Sequence, residues 1–376
     1  MLLALFLLLD CVAWGGFRTP VRYSSSADNV VLARDLNGDG APDLLASGNH
    51  VDELSAFSLF VNRGDGTFDP ERPIASGFGE ELESIDDQNR DGIPDLLASD
   101  YWSNGIVVYS GSNGLAYKQT PYTTATHGGP SLFADYDRDG MKDVISLSFG
   151  SGNPVRVHLF RGNSDGTLTR GTMFETALAN ANTPSIRERD GALEILAGER
   201  SGHLAILRYE NGTLSLSTIT IAPRFDLSST FADVNGDGLA DIVYTTEPEP
   251  GDAQEPVVVM LANADSSFGD RRPLAGARKP VLPVKVAVRD LDGDGRPDII
   301  VSDFRTASLF YFPGRGGGEF AEAQVIDAGG PVNSFTLDDL NSDGAIDIVT
   351  ANDDHTVSVV LNDGVCAPPR RRAVLR

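Results

Sequence analysis

The chain has 376 residues, 41% of them hydrophobic, enough to bury the core of one large all-β domain or of two ordinary ones. Its formal net charge of -24 argues against the Lys/Arg surface that binding to nucleic-acid phosphates requires. The same acidity suits cation binding, and part of it is ordinary solubilising surface charge.

Residues 2–9 are all apolar, too short to span a bilayer but sized for the hydrophobic region of a signal peptide. Cys11-Val12-Ala13 then offers a cleavage site before Trp14, although no Lys or Arg precedes the apolar run. The expected division is a signal peptide at 1–13, a repeat domain at 14–366 and a basic, disordered tail at 367–376, with no later transmembrane segment. A secreted or cell-surface location, extracellular or periplasmic, follows from that division.

The first distinctive element is DLNGDGAPD, starting at Asp35. Oxygen-bearing side chains at Asp35, Asn37, Asp39 and Asp43 repel one another unless a hard cation lies between them, and calcium takes 6 to 8 oxygens in a tolerant geometry. Alternating positions 1, 3 and 5 resemble the start of an EF-hand loop, but position 12 is Ala46 rather than Glu, and Leu44-Leu45-Ala46 reads as a buried strand. The loop recurs as DQNRDGIPD at Asp87, DYDRDGMKD at Asp135, DVNGDGLAD at Asp233, DLDGDGRPD at Asp290 and DLNSDGAID at Asp339. A decayed copy, IRERDGALE at Ile186, has lost the first ligand, so weak or absent metal is expected there. The starts are 47 to 57 residues apart. Around each loop lie two apolar segments, an alternating third strand such as 357–361, a Gly/Asn/Asp turn such as NRGDGTF, and a weaker fourth strand after Phe68 or Phe320. Four short strands per unit, seven times over, predict an all-β, seven-bladed β-propeller with four-stranded blades. The last unit stops after its third strand, and residues 16–23 have the cast of residues 67–74, so the N-terminal strand is expected to close the last blade. That alignment brings the only cysteines, Cys11 and Cys366, near one another, so a disulfide could cross the seam; cleavage after Ala13 would remove Cys11, and the two inferences conflict.

The D-x-[DN]-x-D-G-x-x-D loops, the strand after each, and turns such as residues 62–68 resemble the FG-GAP/VCBS repeats of integrin α-subunit propellers and their bacterial, stand-alone relatives, over about residues 16–366. The resemblance implies calcium ligands from the side chains at positions 1, 3, 5 and 9 and the backbone carbonyl at position 7. Residue by residue these are Asp35, Asn37, Asp39, Ala41 and Asp43; Asp87, Asn89, Asp91, Ile93 and Asp95; Asp135, Asp137, Asp139, Met141 and Asp143; Asp233, Asn235, Asp237, Leu239 and Asp241; Asp290, Asp292, Asp294, Arg296 and Asp298; and Asp339, Asn341, Asp343, Ala345 and Asp347. About six structural Ca²⁺ ions are expected, which would halve the excess negative charge. Gly at position 6 in every copy fits a turn that needs φ > 0.

Arg63-Gly64-Asp65 and the sequon Asn211-Gly212-Thr213 both fall in expected turns and are read first as turn chemistry. H-E-x-x-H and C-x-x-C motifs are absent, and the repeats use up the chain, so an enzyme is not expected. In related propellers the binding surface lies on the face opposite the calcium hairpins. The candidates there are Tyr101, Trp102, Phe304 and Arg305, with His50 and Asp354-His355 also on that face; the acidic stretch 247–255 reads as solvated. The expected function is an adhesion or protein-interaction module, monomeric, with an extracellular protein or glycan as partner; a carbohydrate-binding lectin comes second and a polysaccharide lyase third.

Overall fold

The structure, a computed structural model, describes residues 16–48, 55–77, 80–100, 104–124, 127–150, 153–178, 184–199, 202–221, 226–246, 256–274, 276 and 278–364. It is all-β: seven four-stranded antiparallel sheets and one small hairpin. Blade 1 runs Val30–Arg34, Asp43–Ser47, Ser55–Phe60 and Arg72–Gly77; blade 2, Glu80–Asp86, Asp95–Asp100, Gly105–Ser112 and Ala116–Thr123. Blade 3 is Ser131–Ala134, Asp143–Gly150, Asn153–Gly162 and Leu168–Glu175; blade 4, Ser185–Arg189, Ala192–Glu199, His203–Glu210 and Thr213–Thr220. Blade 5 is Asp226–Ala232, Asp241–Thr246, Val257–Met260 and Arg272–Pro273; blade 6, Pro283–Arg289, Asp298–Asp303, Ser308–Phe312 and Gln324–Asp327. Blade 7 takes Val332–Asp338, Asp347–Asn352 and Thr356–Val360, with Val21–Ser24 as its fourth strand. The seven-bladed propeller read from the repeat spacing is the observed fold.

The second strands Asp43–Ser47, Asp95–Asp100, Asp241–Thr246, Asp298–Asp303 and Asp347–Asn352 are buried at every residue, because each blade is covered by a neighbour on both faces. Such strands read as continuous apolar runs rather than as alternations. The outer strands Ala116–Thr123 and Thr213–Thr220 instead alternate between exposed and half-buried residues. The hydrophobic core is correspondingly divided among the blade interfaces. Leu45, Phe57 and Leu59 of blade 1 pack on Leu82, Leu96 and Val107 of blade 2, and Val349, Ala351 and Val359 of blade 7 pack on Val31, Leu44 and Phe60 of blade 1. Phe320 ends a side hairpin (Gly314–Gly316 with Glu319–Phe320), and the fourth strand of blade 6 follows it at Gln324, as the fourth strand of blade 1 follows Phe68 at Arg72.

The ring closes as expected. Val21 pairs with Val359 and Tyr23 with Val357, and Phe17 bridges Asn362. Arg18 N–H donates to the Leu361 carbonyl at 2.8 Å, and Arg18 and Arg22 form 2.5 Å ion pairs with Asp363 and Asp354. The Tyr23 ring meets Phe60 and Phe68 edge-on, with centroids at 6.2 and 5.8 Å. Cys11, Cys366, the segment 1–13 and the tail 367–376 lie outside the described residues.

Candidate metal centres

The first and second strands of each blade are joined on one face of the ring, and there the acidic hairpins sit. In blade 1 the loop winds about its own side chains: Asp35 accepts N–H bonds from Gly38 (2.7 Å) and Gly40 (2.8 Å), Asn37 Oδ1 from Asp39 (2.8 Å), and Asp39 from Ala41 (2.9 Å). Blades 2, 5, 6 and 7 repeat the scheme, for example Gly92 to Asp87, Gly238 to Asp233, Gly295 to Asp290 and Gly344 to Asp339, all at 2.8–2.9 Å. The position-6 glycines have φ between 84° and 90° in the six intact loops, the left-handed turn expected of them. Position 4 is left-handed too, even where it is Arg90, Arg138 or Ser342.

The Asp at position 9 has a structural role that the sequence reading missed. Asp43, Asp95, Asp143, Asp241, Asp298 and Asp347 have no exposed surface. In each, Oδ2 accepts the N–H of position 2 (Leu36, Gln88, Tyr136, Val234, Leu291 and Leu340; 2.8–3.2 Å). Oδ1 accepts an N–H just past the third strand or at its end (Asn62, Gly111, Gly162, Ala262, Gly314 and Asn362; 2.7–2.9 Å). This carboxylate therefore clasps the hairpin to the third strand, while its remaining lone pairs are free in chemical principle for a cation. Burial pushes Asp95, Asp143, Asp298 and Asp347 up to about 6, against the opposing pull of these backbone donors. The residue that meets Oδ1 has its own constraint: a Cβ on Gly111, Gly162 or Gly314 would lie 2.2–2.4 Å from the position-8 carbonyl oxygen. Where Asn stands instead, it bonds that carbonyl, as Asn62 does to Pro42 (2.9 Å) and Asn362 to Ile346 (3.1 Å).

Loops 3 and 6 carry Asp rather than Asn at position 3, and they are the two in which carboxylate oxygens converge: Asp135, Asp137 and Asp143, and Asp290, Asp292 and Asp294, each set lying within 4.8 Å. Asp135 Oδ1 is buried with no hydrogen-bond partner. Converging carboxylates and an orphaned oxygen form an all-oxygen donor set that a hard cation fits. In the other four intact loops the Asn amide at position 3 donates to the position-5 Asp at 2.9–3.1 Å. Blade 4 lacks such a loop: Asp190 and Gly191 (φ 48° and 78°) make a tight turn between its first two strands, and Ile186 lies paired with Ile195.

On the opposite face, Phe304 is half-buried and Arg305 exposed, in a turn capped by Asp303, which accepts the Thr306 N–H at 2.8 Å. His355 Nδ1 lies 3.2 Å from Asp28 Oδ2, and Asp354 is held by Arg22. Tyr101, Trp102, His50 and the stretch 247–255 lie outside the described residues. Arg63-Gly64-Asp65 is satisfied within its own turn: Arg63 pairs with Asp69 (2.7 Å), and Asp65 accepts the Thr67 N–H (3.0 Å) and hydroxyl (2.6 Å).

A family model described as an FG-GAP-like repeat matches the chain three times, at residues 87–146, 188–244 and 290–350. The chain is a seven-bladed β-propeller that carries FG-GAP-like repeats. Integrin alpha-PS3 of Drosophila melanogaster is 34% identical to it over 158 residues, and integrin alpha-PS5 of the same organism 32% over 157, each match covering 35% of this chain. The matched region spans only 14% and 15% of those two relatives. The fold is shared over more of the chain with chains in the crystal structures of BBS1N in complex with ARL6DN, soaked with lead (TM-score 0.63, 12% identity, 96% of this chain and 99% of that one) or with mercury (TM-score 0.62, 12%, 93% and 98%). The FG-GAP matches include the turn of blade 4, so the repeat persists there although its acidic loop is gone.

Proposed function

We propose that this propeller is a calcium-stabilised recognition module of the extracellular space, an adhesion or protein-interaction domain rather than an enzyme, with one structural cation in each of six hairpins. The observation that carries the reading is the set of six carboxylate loops on one face, each wound around its own acidic side chains, with an orphaned buried oxygen in the third. The likeness to integrin α subunits supports the interaction role. Export by a signal peptide at 1–13, a propeller over 14–366 and a basic tail at 367–376 belong to the same reading. Among the described residues no helix is long and apolar enough to cross a membrane.

In this account cations neutralise hairpins that otherwise repel themselves, and the fold gains RT ln(1 + [L]/Kd) per site, about 2.7 kcal/mol at a hundredfold excess over Kd. A chelator is therefore expected to lower the melting temperature by more than about 10 °C. An unchanged melting temperature would sink the structural-calcium account. A glycan and polysaccharide array probed with the calcium-loaded protein is expected to stay blank; specific binding to one glycan would replace the protein-interaction role with the lectin.

A further inference from the structure

The six intact loops do not carry the same charge. Loops 1, 2, 5 and 7 have Asp, Asn, Asp and Asp at positions 1, 3, 5 and 9; loops 3 and 6 have four Asp. In those two loops, and in none of the other four among the described residues, an arginine reaches a carboxylate of the set. In loop 3, Arg161 Nε lies 2.5 Å from Asp137 Oδ2, without the alignment of a directed hydrogen bond. Arg161 comes from the third strand, next to Asp143 across the ladder, and Asp137 first, then Tyr136, Asp139 and Asp143, hold its guanidinium above the usual range. In loop 6, Arg296 reaches Asp294 from position 7 and donates Nε–H to the Gly314 carbonyl at 3.0 Å. In both loops one guanidinium offsets the one extra carboxylate.

Blade 4 takes the exchange further. Glu194 stands where the other blades have their position-9 Asp, 4% exposed, and Arg208, directly opposite it in the ladder, occupies the place that Arg161 has in blade 3. Glu194 accepts from Arg208 Nη1 at 2.8 Å and from Arg187 Nε at 2.6 Å. Arg187 lies 4.2 Å above the Phe231 ring and donates to the Ala240 carbonyl, at position 8 of the next loop. Two guanidinium groups hold the acid at this position, in a blade without a four-acid hairpin.

We propose that Arg161 and Arg296 are built-in counter-charges that hold the two four-carboxylate loops down to the cation affinity of the three-carboxylate loops, and that in blade 4 guanidinium groups replace the cation altogether. The proposal rests on the cation-binding reading of the hairpins. A guanidinium that contacts a ligand oxygen, by charge alone as Arg161 does or through an Nη2–H hydrogen bond as Arg296 does, is displaced or crowded when a divalent ion arrives, so the ion binds against it. Calcium affinity follows ligand charge, so removing the arginine should tighten the site by about tenfold.

The test is calcium titration of the full chain by calorimetry against a competing chelator, with bound ions counted by native mass spectrometry. Six ions are expected on the wild type. Arg161→Ser, which places in blade 3 the residue that blade 2 has as Ser110, is expected to shift one binding step about tenfold to lower free calcium and leave the other five unchanged. Adding Asp137→Asn should return that step to its wild-type position, because the loop then has the composition of loop 1. Arg296→Ser is an independent second case in blade 6. Unchanged or weaker binding in both arginine variants, with six ions still on the wild type, would overturn the counter-charge role alone. No calcium on the wild type would instead remove the reading beneath it.

Discussion

At the scale of single residues, the position-9 aspartates separate two roles that sequence treats as one. Asp347 accepts N–H bonds from Leu340 at 2.9 Å and from Asn362 at 2.7 Å, and it is fully buried. In Asp347→Asn one acceptor becomes a donor that faces another donor, leaving a buried N–H unpaired at a cost of about 1–3 kcal/mol. Urea unfolding with excess chelator should show that loss undiminished; if the variant matches the wild type once metal is gone, the residue is a ligand and not a clasp. Glu83, on the first strand of blade 2, provides a pH test away from the loops. Burial, reinforced by Glu81, raises its carboxyl to about 8, against the opposing hydrogen bonds from Ser99 and the Ser131 N–H. Because the folded value lies above the unfolded one, the neutral acid's contribution is complete below about pH 4.3 and is lost as pH rises through 8. Glu83→Gln should therefore be more stable than the wild type above pH 8, with the advantage shrinking as pH falls towards 4.5. An advantage independent of pH would contradict this.

At the scale of the element, blade 4 is where local sequence and structure diverge most. Its turn, Asp190-Gly191, is the short hairpin signal that joins two strands directly, and it was legible in the same residues that read as a decayed loop. The other hairpins were legible because their chemistry is local: ligands and glycines recur within nine residues. The clasps and the Arg161 counter-charge were not, because the third-strand partner of each acid lies across a strand ladder and changes identity from blade to blade, from Asn62 to Gly111 to Ala262; only Arg296 stands within its own loop. Only the folded register brings Arg208 opposite Glu194. With the Arg187–Glu194–Arg208 cluster proposed to stand in place of an ion, Arg187→Leu is expected to destabilise the protein by about 3 kcal/mol in calcium and in chelator alike, the cost of leaving a buried charge with one partner fewer. Thermal or urea unfolding under both conditions checks it, and a loss confined to one of them would tie this blade to the metal after all.

At the scale of the whole molecule, stability is shared around the ring because no blade keeps a core to itself. The apolar clusters lie between blades: blade 3 shares Leu147 and Leu159 with Ile195 and Leu207 of blade 4, and blade 6 shares Ile300 and Tyr311 with Phe335 and Ile348 of blade 7. Opening any one interface uncovers apolar surface on two sheets, so partial unfolding gains little entropy for the area it exposes. The seam is the point at which this argument is most exposed to test, because blade 7 borrows its outer strand from a segment more than three hundred residues away in sequence. Without Val21–Ser24 the strand Thr356–Val360 becomes an open edge. Tyr23 holds the borrowed strand against blade 1 through Phe60 and Phe68, and its hydroxyl accepts the Phe68 N–H at 3.2 Å. Tyr23→Ala should therefore cost about 2–3 kcal/mol, lowering the urea midpoint while leaving a single transition of unchanged steepness. A separate early transition, with hydrogen exchange rising only in blades 7 and 1, would instead show that the seam opens by itself and that the ring does not unfold as one unit.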